Sequence, residues 1–142
     1  MPQETALITG PSSGIGMELA RLFAADGSQL ILVSRNAAKL EALATELREG
    51  HKITVHVLPT DLSLPGAAQQ VFDAVTKLGL TVDVLVNNAG FGHHAKFQDV
   101  PLATYTENIQ VNVTALTELT HLCLPGMLAR RLGRILNVGS TA

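Results

Sequence analysis

Short, largely apolar runs alternate along this chain with longer segments in which apolar residues recur every three or four positions. The short runs occupy positions 6–8, 29–34, 53–58, 82–86 and 134–138. Runs of this kind, without a polar residue at every second position, are typical of strands buried on both faces of a parallel sheet. The sequence therefore predicts about five strands, each separated from the next by a segment of helical length.

The intervening segments have the spacing of amphipathic helices. The first is closed by Asp26-Gly27, and its predicted apolar face comprises Ile15, Leu19, Leu22 and Phe23. The others extend from an Asn36 cap to about position 50, from 63 to 78, and from 101 to about 129 with a bend at Pro125. This alternation predicts right-handed βαβ units, and we expect one domain over residues 1–142, an α/β, doubly wound parallel sheet of the Rossmann type in three layers.

A glycine-rich turn, TGPSSGIG, joins the first strand to the first helix at positions 9–16. A pyrophosphate can lie against bare N–H groups at a helix N-terminus, and glycine has no side chain to hold it away. A Walker loop would need a lysine after Gly14, and the G-x-G-x-x-G pattern would need Gly or Ala where Leu19 stands. The turn predicts a dinucleotide phosphate site, and the alternative is a glycine turn without a ligand.

Composition narrows the class of protein. Hydrophobic residues make up 46% of the chain and charged residues 15%, and the net charge is -2. These values predict a sizeable core and no basic surface for nucleic acid or anionic lipid. The single cysteine, Cys123, excludes an internal disulfide, and we find no secretory signal or bilayer-length apolar run. We therefore expect a cytoplasmic protein without membrane contact, and, since adjacent His93-His94 lack ligand spacing, without a metal site.

Further motifs follow the predicted strand ends in the order of one known family. Asp61 follows the third strand, Asn87-Asn88-Ala89-Gly90 the fourth, Asn112 lies in the long helix, and Asn137-Val138-Gly139-Ser140 follows the fifth run. Together with TGxxxGxG they resemble the short-chain dehydrogenase/reductase family, in its ordinary, non-extended branch, over essentially the whole chain. Because the carboxyl ends of parallel strands meet at one edge of the sheet, we expect these residues to line one crevice.

The resemblance implies a role for each motif. Asp61 and Leu62 would hold the adenine, Asn112 would support a proton-relay water, and Ser140 would steady the substrate carbonyl or hydroxyl as the second catalytic residue. Asp61 as a helix cap and Ser140 as an ordinary loop serine are the alternatives. The implied cofactor-binding set is Gly10, Ser12, Ser13, Gly14, Ile15, Gly16, Ser34, Arg35, Asn36, Asp61, Leu62, Asn88, Ala89 and Gly90.

The end of the second strand predicts which nicotinamide cofactor binds. NAD enzymes place a carboxylate there to accept from the ribose 2′-OH, whereas NADP enzymes place a cation for the 2′-phosphate. This strand ends in Ser34-Arg35-Asn36 without an acid, and Arg35 can form a charge-assisted fork with a phosphate. We predict NADP, with NAD less favoured, and an ordinary solvated charge at Arg35 is the alternative.

The resemblance also implies a tyrosine acid/base and a lysine one helical turn later, both downstream of the serine. The only tyrosine, Tyr105, precedes Asn112 and is followed four positions on by Ile109. We therefore expect the pair beyond Ala142 in a longer, homo-oligomeric enzyme, with the chain incomplete, its last strand an exposed edge, and no activity of its own.

The predicted function is NADP-dependent interconversion of an alcohol and a ketone or aldehyde on a small molecule, by hydride transfer. The alternative is a non-catalytic NAD(P)-binding module. A related epimerase or lyase is a weaker option, because a scaffold does not by itself determine the reaction.

Overall fold

The computed structural model describes residues 3–140, which form a five-stranded sheet between two layers of helices. The strands are β1 (Thr5–Thr9), β2 (Gln29–Ser34), β3 (Val55–Pro59), β4 (Val84–Asn87) and β5 (Arg134–Asn137). Their order across the sheet is β3-β2-β1-β4-β5, and every neighbouring pair is parallel. The predicted doubly wound α/β fold is confirmed.

The helices connect consecutive strands. They are α1 (Gly14–Ala25), α2 (Ala37–His51), α3 (Ala67–Lys77), α4 (Leu102–Ile109) and α5 (Leu116–Arg130). A 3₁₀ turn at Phe97–Asp99 precedes α4, and a π-helical stretch at Gln110–Ala115 joins α4 to α5. No helix within residues 3–140 combines the length and the hydrophobicity needed to cross a bilayer.

Alternate residues of the central strands supply two apolar cores, one on each face of the sheet. Ala6 and Ile8 of β1 pack with α1 and α2, whereas Leu7 packs on the other face with α3 and α5. Full burial of a side chain such as Leu7 or Ile8 contributes about 1.5–3 kcal/mol. Because both faces are covered, the strands read as continuous apolar runs in the sequence.

The predicted apolar face of α1 is partly wrong. Ile15 and Leu22 are 62% and 63% exposed, and the residues that α1 buries are Gly16, Ala20 and Ala24. Small side chains on this face let the helix lie close to the sheet. Helical spacing in the sequence found the helix but selected the larger apolar residues for its buried side.

The long C-terminal helical segment is irregular at a different place from the one predicted. α5 runs through Pro125 without a break, and the departure from α-helical bonding lies upstream, at Gln110–Ala115. At the other end of this connection, β5 forms an edge of the sheet, where Ile135 and Leu136 are 36% and 41% exposed.

The strand order reverses between β1 and β4. From β1 the chain proceeds outward through β2 to β3, and it then crosses back to place β4 on the other side of β1. The connections that leave the carboxyl ends of β1 and β4 therefore diverge to opposite faces of the sheet. A crevice opens at such a point, and in open α/β sheets this is where ligands bind.

Candidate functional site

A cleft of about 1400 Å³ occupies this point at the carboxyl ends of the strands. Its lining brings together most residues that the sequence selected. These are Gly10, Ser12, Ser13, Ile15, Ser34, Arg35, Asp61, Leu62, Asn88, Ala89, Gly90, Asn112 and Ser140. Three others, Gly14, Gly16 and Asn36, are not among its lining residues.

Two glycines of the turn are required by packing within the protein. A Cβ built on Gly10, where φ is +65°, would lie 2.9 Å from the Cα of Ala89. A Cβ on Gly16 would lie 2.2 Å from Nδ2 of Asn88 and 2.4 Å from the carbonyl oxygen of Gly10. The turn and the loop after β4 can therefore meet only because neither position carries a side chain.

Gly14 has a different environment. Its φ is +57°, which favours glycine, and a Cβ placed on it would meet no atom within 4 Å. Ser13, the N-cap of α1, accepts no hydrogen bond from the helix through its side chain. The N–H groups of the first turn have no partner inside a helix, so this open end of α1 suits an anion. The residues present therefore fit a diphosphate group.

A small hydrogen-bond network ties the glycine turn to the loop after β4. The hydroxyl oxygen of Thr9 accepts from the amides of Asn88 and Ala89 at 3.0 and 2.9 Å. The side-chain amide of Asn88 donates back to the carbonyls of Thr9 and Gly10 at 3.1 and 3.0 Å. Asn88 thus holds the turn in place, and Thr9 is a site residue that the sequence reasoning missed although it stands first in TGxxxGxG.

At one end of the cleft, Arg35, Asp61 and two serines are grouped. The hydroxyls of Ser12 and Ser34 are 2.6 Å apart, which links the glycine turn to the end of β2. Arg35 is exposed and has no ion-pair partner closer than 4 Å among residues 3–140. Its side chain is therefore available to an anionic ligand.

The Asp61 side chain forms a local turn with Ser63. One carboxylate oxygen accepts from the hydroxyl and the amide of Ser63 at 2.7 and 3.0 Å. These bonds, and to a smaller degree the charge of Arg35, hold the pKa of Asp61 below its usual range. The N-cap of α3 is Gly66, so the alternative of Asp61 as that helix's cap is wrong.

Two predicted cofactor residues have clear structural roles. The Asn36 side chain accepts from the amide of Lys39 at 3.0 Å and caps α2, as the sequence predicted. Leu62 is 6% exposed and packs in the core on the α3 side, while it still contributes to the cleft wall.

At the other end of the cleft, Asn112 holds the main chain of Phe91. Its Oδ1 accepts from the Phe91 amide at 3.0 Å, and its Nδ2 donates to the Phe91 carbonyl at 2.8 Å. The side-chain amide of Asn112 therefore finds its hydrogen-bond partners within the protein. The neighbouring Ile109 and Val113 are each 56% exposed.

Asn87, at the end of β4, is a buried polar residue in the cleft wall. It is 4% exposed, and its Nδ2 donates to Thr120 on α5 and to Asn137 on β5 at 3.1 and 3.0 Å. Its Oδ1 has no hydrogen-bond partner among the described residues. The bonds of Asn87 join β4, β5 and α5 at the cleft that Ser140 also lines.

The single tyrosine lies outside the cleft lining. The ring of Tyr105 stacks on Phe97 with centroids 4.7 Å apart, and its hydroxyl donates to the Phe97 carbonyl at 3.0 Å. His93 and His94 do line the cleft, but within residues 3–140 no three His, Cys, Asp or Glu side chains are grouped as a metal site would require.

The family model described as short chain dehydrogenase matches residues 4–142. The chain belongs to this family. A very-long-chain 3-oxoacyl-CoA reductase from Pyrenophora tritici-repentis is 40% identical in an alignment 141 positions long, which covers 95% of this chain and 41% of that protein. This short-chain dehydrogenase chain thus spans less than half the length of that curated relative.

Solved structures of the family superpose closely on the chain. The bulky-bulky ketone specific alcohol dehydrogenase from Comamonas testosteroni has a TM-score of 0.92 and 33% identity, over 99% of this chain and 56% of that one. A short-chain dehydrogenase from Sphingobium yanoikuyae in complex with NADPH has a TM-score of 0.90 and 36% identity, over 97% and 54%. The short-chain dehydrogenase fold is therefore shared over nearly all of this chain.

Proposed function

We propose that this chain is the NADP(H)-binding part of a short-chain dehydrogenase/reductase that interconverts an alcohol and a ketone or aldehyde by hydride transfer. The cleft carries the proposal, because it combines an open helix N-terminus, an exposed cation and a carboxylate along one continuous wall. The alcohol dehydrogenase and the NADPH complex among its structural neighbours support the same class of reaction and cofactor.

Ser13 and Gly14, at the first turn of α1, would hold the diphosphate of the cofactor. Asp61, whose pKa is lowered by Ser63, is ionised at neutral pH and has a second oxygen that can accept from the adenine amino group. Arg35 would pair with the 2′-phosphate, since a guanidinium can make two parallel bonds to a phosphate. The nicotinamide half would then lie toward the ends of β4 and β5.

When bound, the nicotinamide supplies or accepts the hydride. Ser140 orients the substrate oxygen by a hydrogen bond, and Asn112 keeps the neighbouring wall in place through Phe91. We further propose that the tyrosine and lysine acid/base pair lies beyond Ala142 in a longer, cytoplasmic, homo-oligomeric protein.

Calorimetric titration of the chain with NADPH and NADH tests the cofactor assignment. We expect NADPH to bind more tightly. Arg35→Ala should weaken NADPH binding by about 10-fold or more, because charged hydrogen bonds contribute about 1.5–3 kcal/mol, and should leave NADH binding nearly unchanged. Lys39→Ala, at another exposed cation in the first turn of α2, is the matched control and should change neither affinity. Equal affinity for both cofactors in the wild type would refute the choice of NADP.

A second candidate function is cofactor binding without chemistry. The position of Tyr105 favours it, because the only tyrosine hydroxyl is bonded to Phe97 away from the cleft. Absorbance of reduced nicotinamide, followed with a panel of carbonyl substrates on a protein that extends beyond Ala142, separates the two functions. Turnover supports the oxidoreductase, and NADPH binding without oxidation of NADPH supports the binding module.

A further inference from the structure

Two asparagines one helical turn apart hold the same main-chain carbonyl. Asn112 binds both the amide and the carbonyl of Phe91, and Asn108, in the last turn of α4, donates its side-chain amide to that carbonyl as well. Residues four apart on a helix share a face, so both side chains can reach one point. The sequence motifs predicted a role for Asn112 but not for Asn108.

Few other contacts order the segment around Phe91. Phe91 is flanked by Gly90 and Gly92, and glycine is the residue type that permits the widest range of backbone angles. A Cβ on Gly92 would meet no atom within 4 Å, so nothing packs closely there. Upstream, Asn88 is bound to Thr9 and Gly10, but these contacts end before Phe91. Order at Phe91 therefore depends on the two asparagines.

This segment forms one wall of the cleft. Residues 90–94 line it on the side of β4 and β5, whereas Asn108 is not among the lining residues. The Phe91 ring also meets the His93 ring edge-on, with centroids 5.6 Å apart, so movement of the Phe91 backbone also displaces His93. A change at Asn108 can alter this wall without removing a group that touches a ligand.

We infer that Asn108 is a positioning residue, which orders the cleft wall at residues 90–94 through the Phe91 carbonyl. The inference rests on the proposed function for its ligand, since the wall would face the nicotinamide half of NADP(H). Under the proposed function, Arg35 and Asp61 at the opposite end would contact the adenosine half, and Asp61 is held by Ser63 and not by Phe91. Loss of Asn108 should therefore weaken the binding of the nicotinamide half and leave the binding of the adenosine half unchanged.

The test compares NADPH with adenosine 2′,5′-bisphosphate, which carries the adenosine half only. Asn108→Ala should weaken NADPH binding by about 3- to 10-fold, the effect of one hydrogen bond, and leave the affinity for the bisphosphate unchanged. Asn108→Asp keeps the shape of the side chain but removes the donor, so it should weaken NADPH binding at least as much. Thr106→Ala is the matched control, because the Thr106 hydroxyl donates to the Leu102 carbonyl of the same helix and, among residues 3–140, to no part of the cleft wall.

Unchanged NADPH affinity in Asn108→Ala would overturn the inference, as would an equal loss for both ligands or wild-type affinity in Asn108→Asp. Amide exchange measured by NMR on the ligand-free chain keeps the test independent of the cofactor. The Phe91 amide should exchange about 3- to 10-fold faster in Asn108→Ala than in the wild type or Thr106→Ala. If the wild type binds neither ligand, the proposed function fails and this exchange rate alone decides the inference, with an unchanged rate refuting it.

Discussion

Gly16 is the position at which one added methyl group should disturb the site most. In Gly16→Ala the Cβ would lie 2.2 Å from the Asn88 side chain and 2.4 Å from the Gly10 carbonyl oxygen, which is backbone and cannot rotate away. Overpacking of this kind costs about 1–3 kcal/mol. Displacing Asn88 also breaks its bonds to the carbonyls of Thr9 and Gly10, at about 1 kcal/mol each. We expect the free energy of unfolding to fall by about 3–5 kcal/mol.

Gly14→Ala is the matched control for this change. It lies in the same turn but has open space around its Cβ, so only the strain of a left-handed backbone applies, about 1–2 kcal/mol. Urea unfolding followed by far-UV circular dichroism measures both variants, since the chain has no tryptophan. A Gly16→Ala variant no less stable than Gly14→Ala would refute the packing argument.

Three further predictions concern binding, acid stability and thiol reactivity. Gly14→Ala should weaken NADPH binding in calorimetry, because its Cβ would occupy the open space beside the first turn of α1, where we propose that the diphosphate binds. Gly27→Ala has a φ of +82° and open space just past the other end of α1, so it should suffer similar strain and bind NADPH normally. Equal affinities of the two variants would contradict diphosphate binding at Gly14. Because the folded pKa of Asp61 lies below its ordinary value of 3.8, its contribution to stability is complete above that pH and is lost as the pH falls through the folded pKa. The free energy of unfolding of Asp61→Asn, measured as the pH is lowered, should therefore fall less steeply than that of the wild type. An equally steep fall would contradict this. Burial raises the pKa of Cys123 to about 11, so native protein at pH 8 should react slowly with a thiol reagent and urea-unfolded protein fast; equal rates would show that the thiol is exposed.

Local patterns identified most elements and most of the cleft lining. The strands are continuous apolar runs because both sheet faces are covered, and the ends of parallel strands meet at one edge, so Asp61, Asn88 and Ser140 share one cleft although they are far apart in the sequence. The binding and catalytic roles assigned to these residues stay predictions. The start of α3 was less predictable, because the Asp61–Ser63 turn delays the helix to Ala67.

The remaining errors share a physical cause. The apolar face of a helix is predicted from the spacing of its large hydrophobic residues. This spacing therefore predicted that Ile15 and Leu22 lie on the buried side of α1. The sheet instead approaches that helix so closely that the fully buried positions of α1 are Gly16, Ala20 and Ala24. Asn108 was missed because its partner, Phe91, is 17 positions away and no local spacing links the two.

The amino-acid sequence by itself determined the alternation of strands and helices, the glycine turn and the order of the motifs, since these depend on short-range spacing and on residue type. Only the tertiary structure decided which glycines of the turn are needed for internal packing and which one faces open space. It also decided which amides meet at Phe91. Such choices depend on the distance between loops that leave β1 and β4 in opposite directions, and that distance is set by the whole sheet.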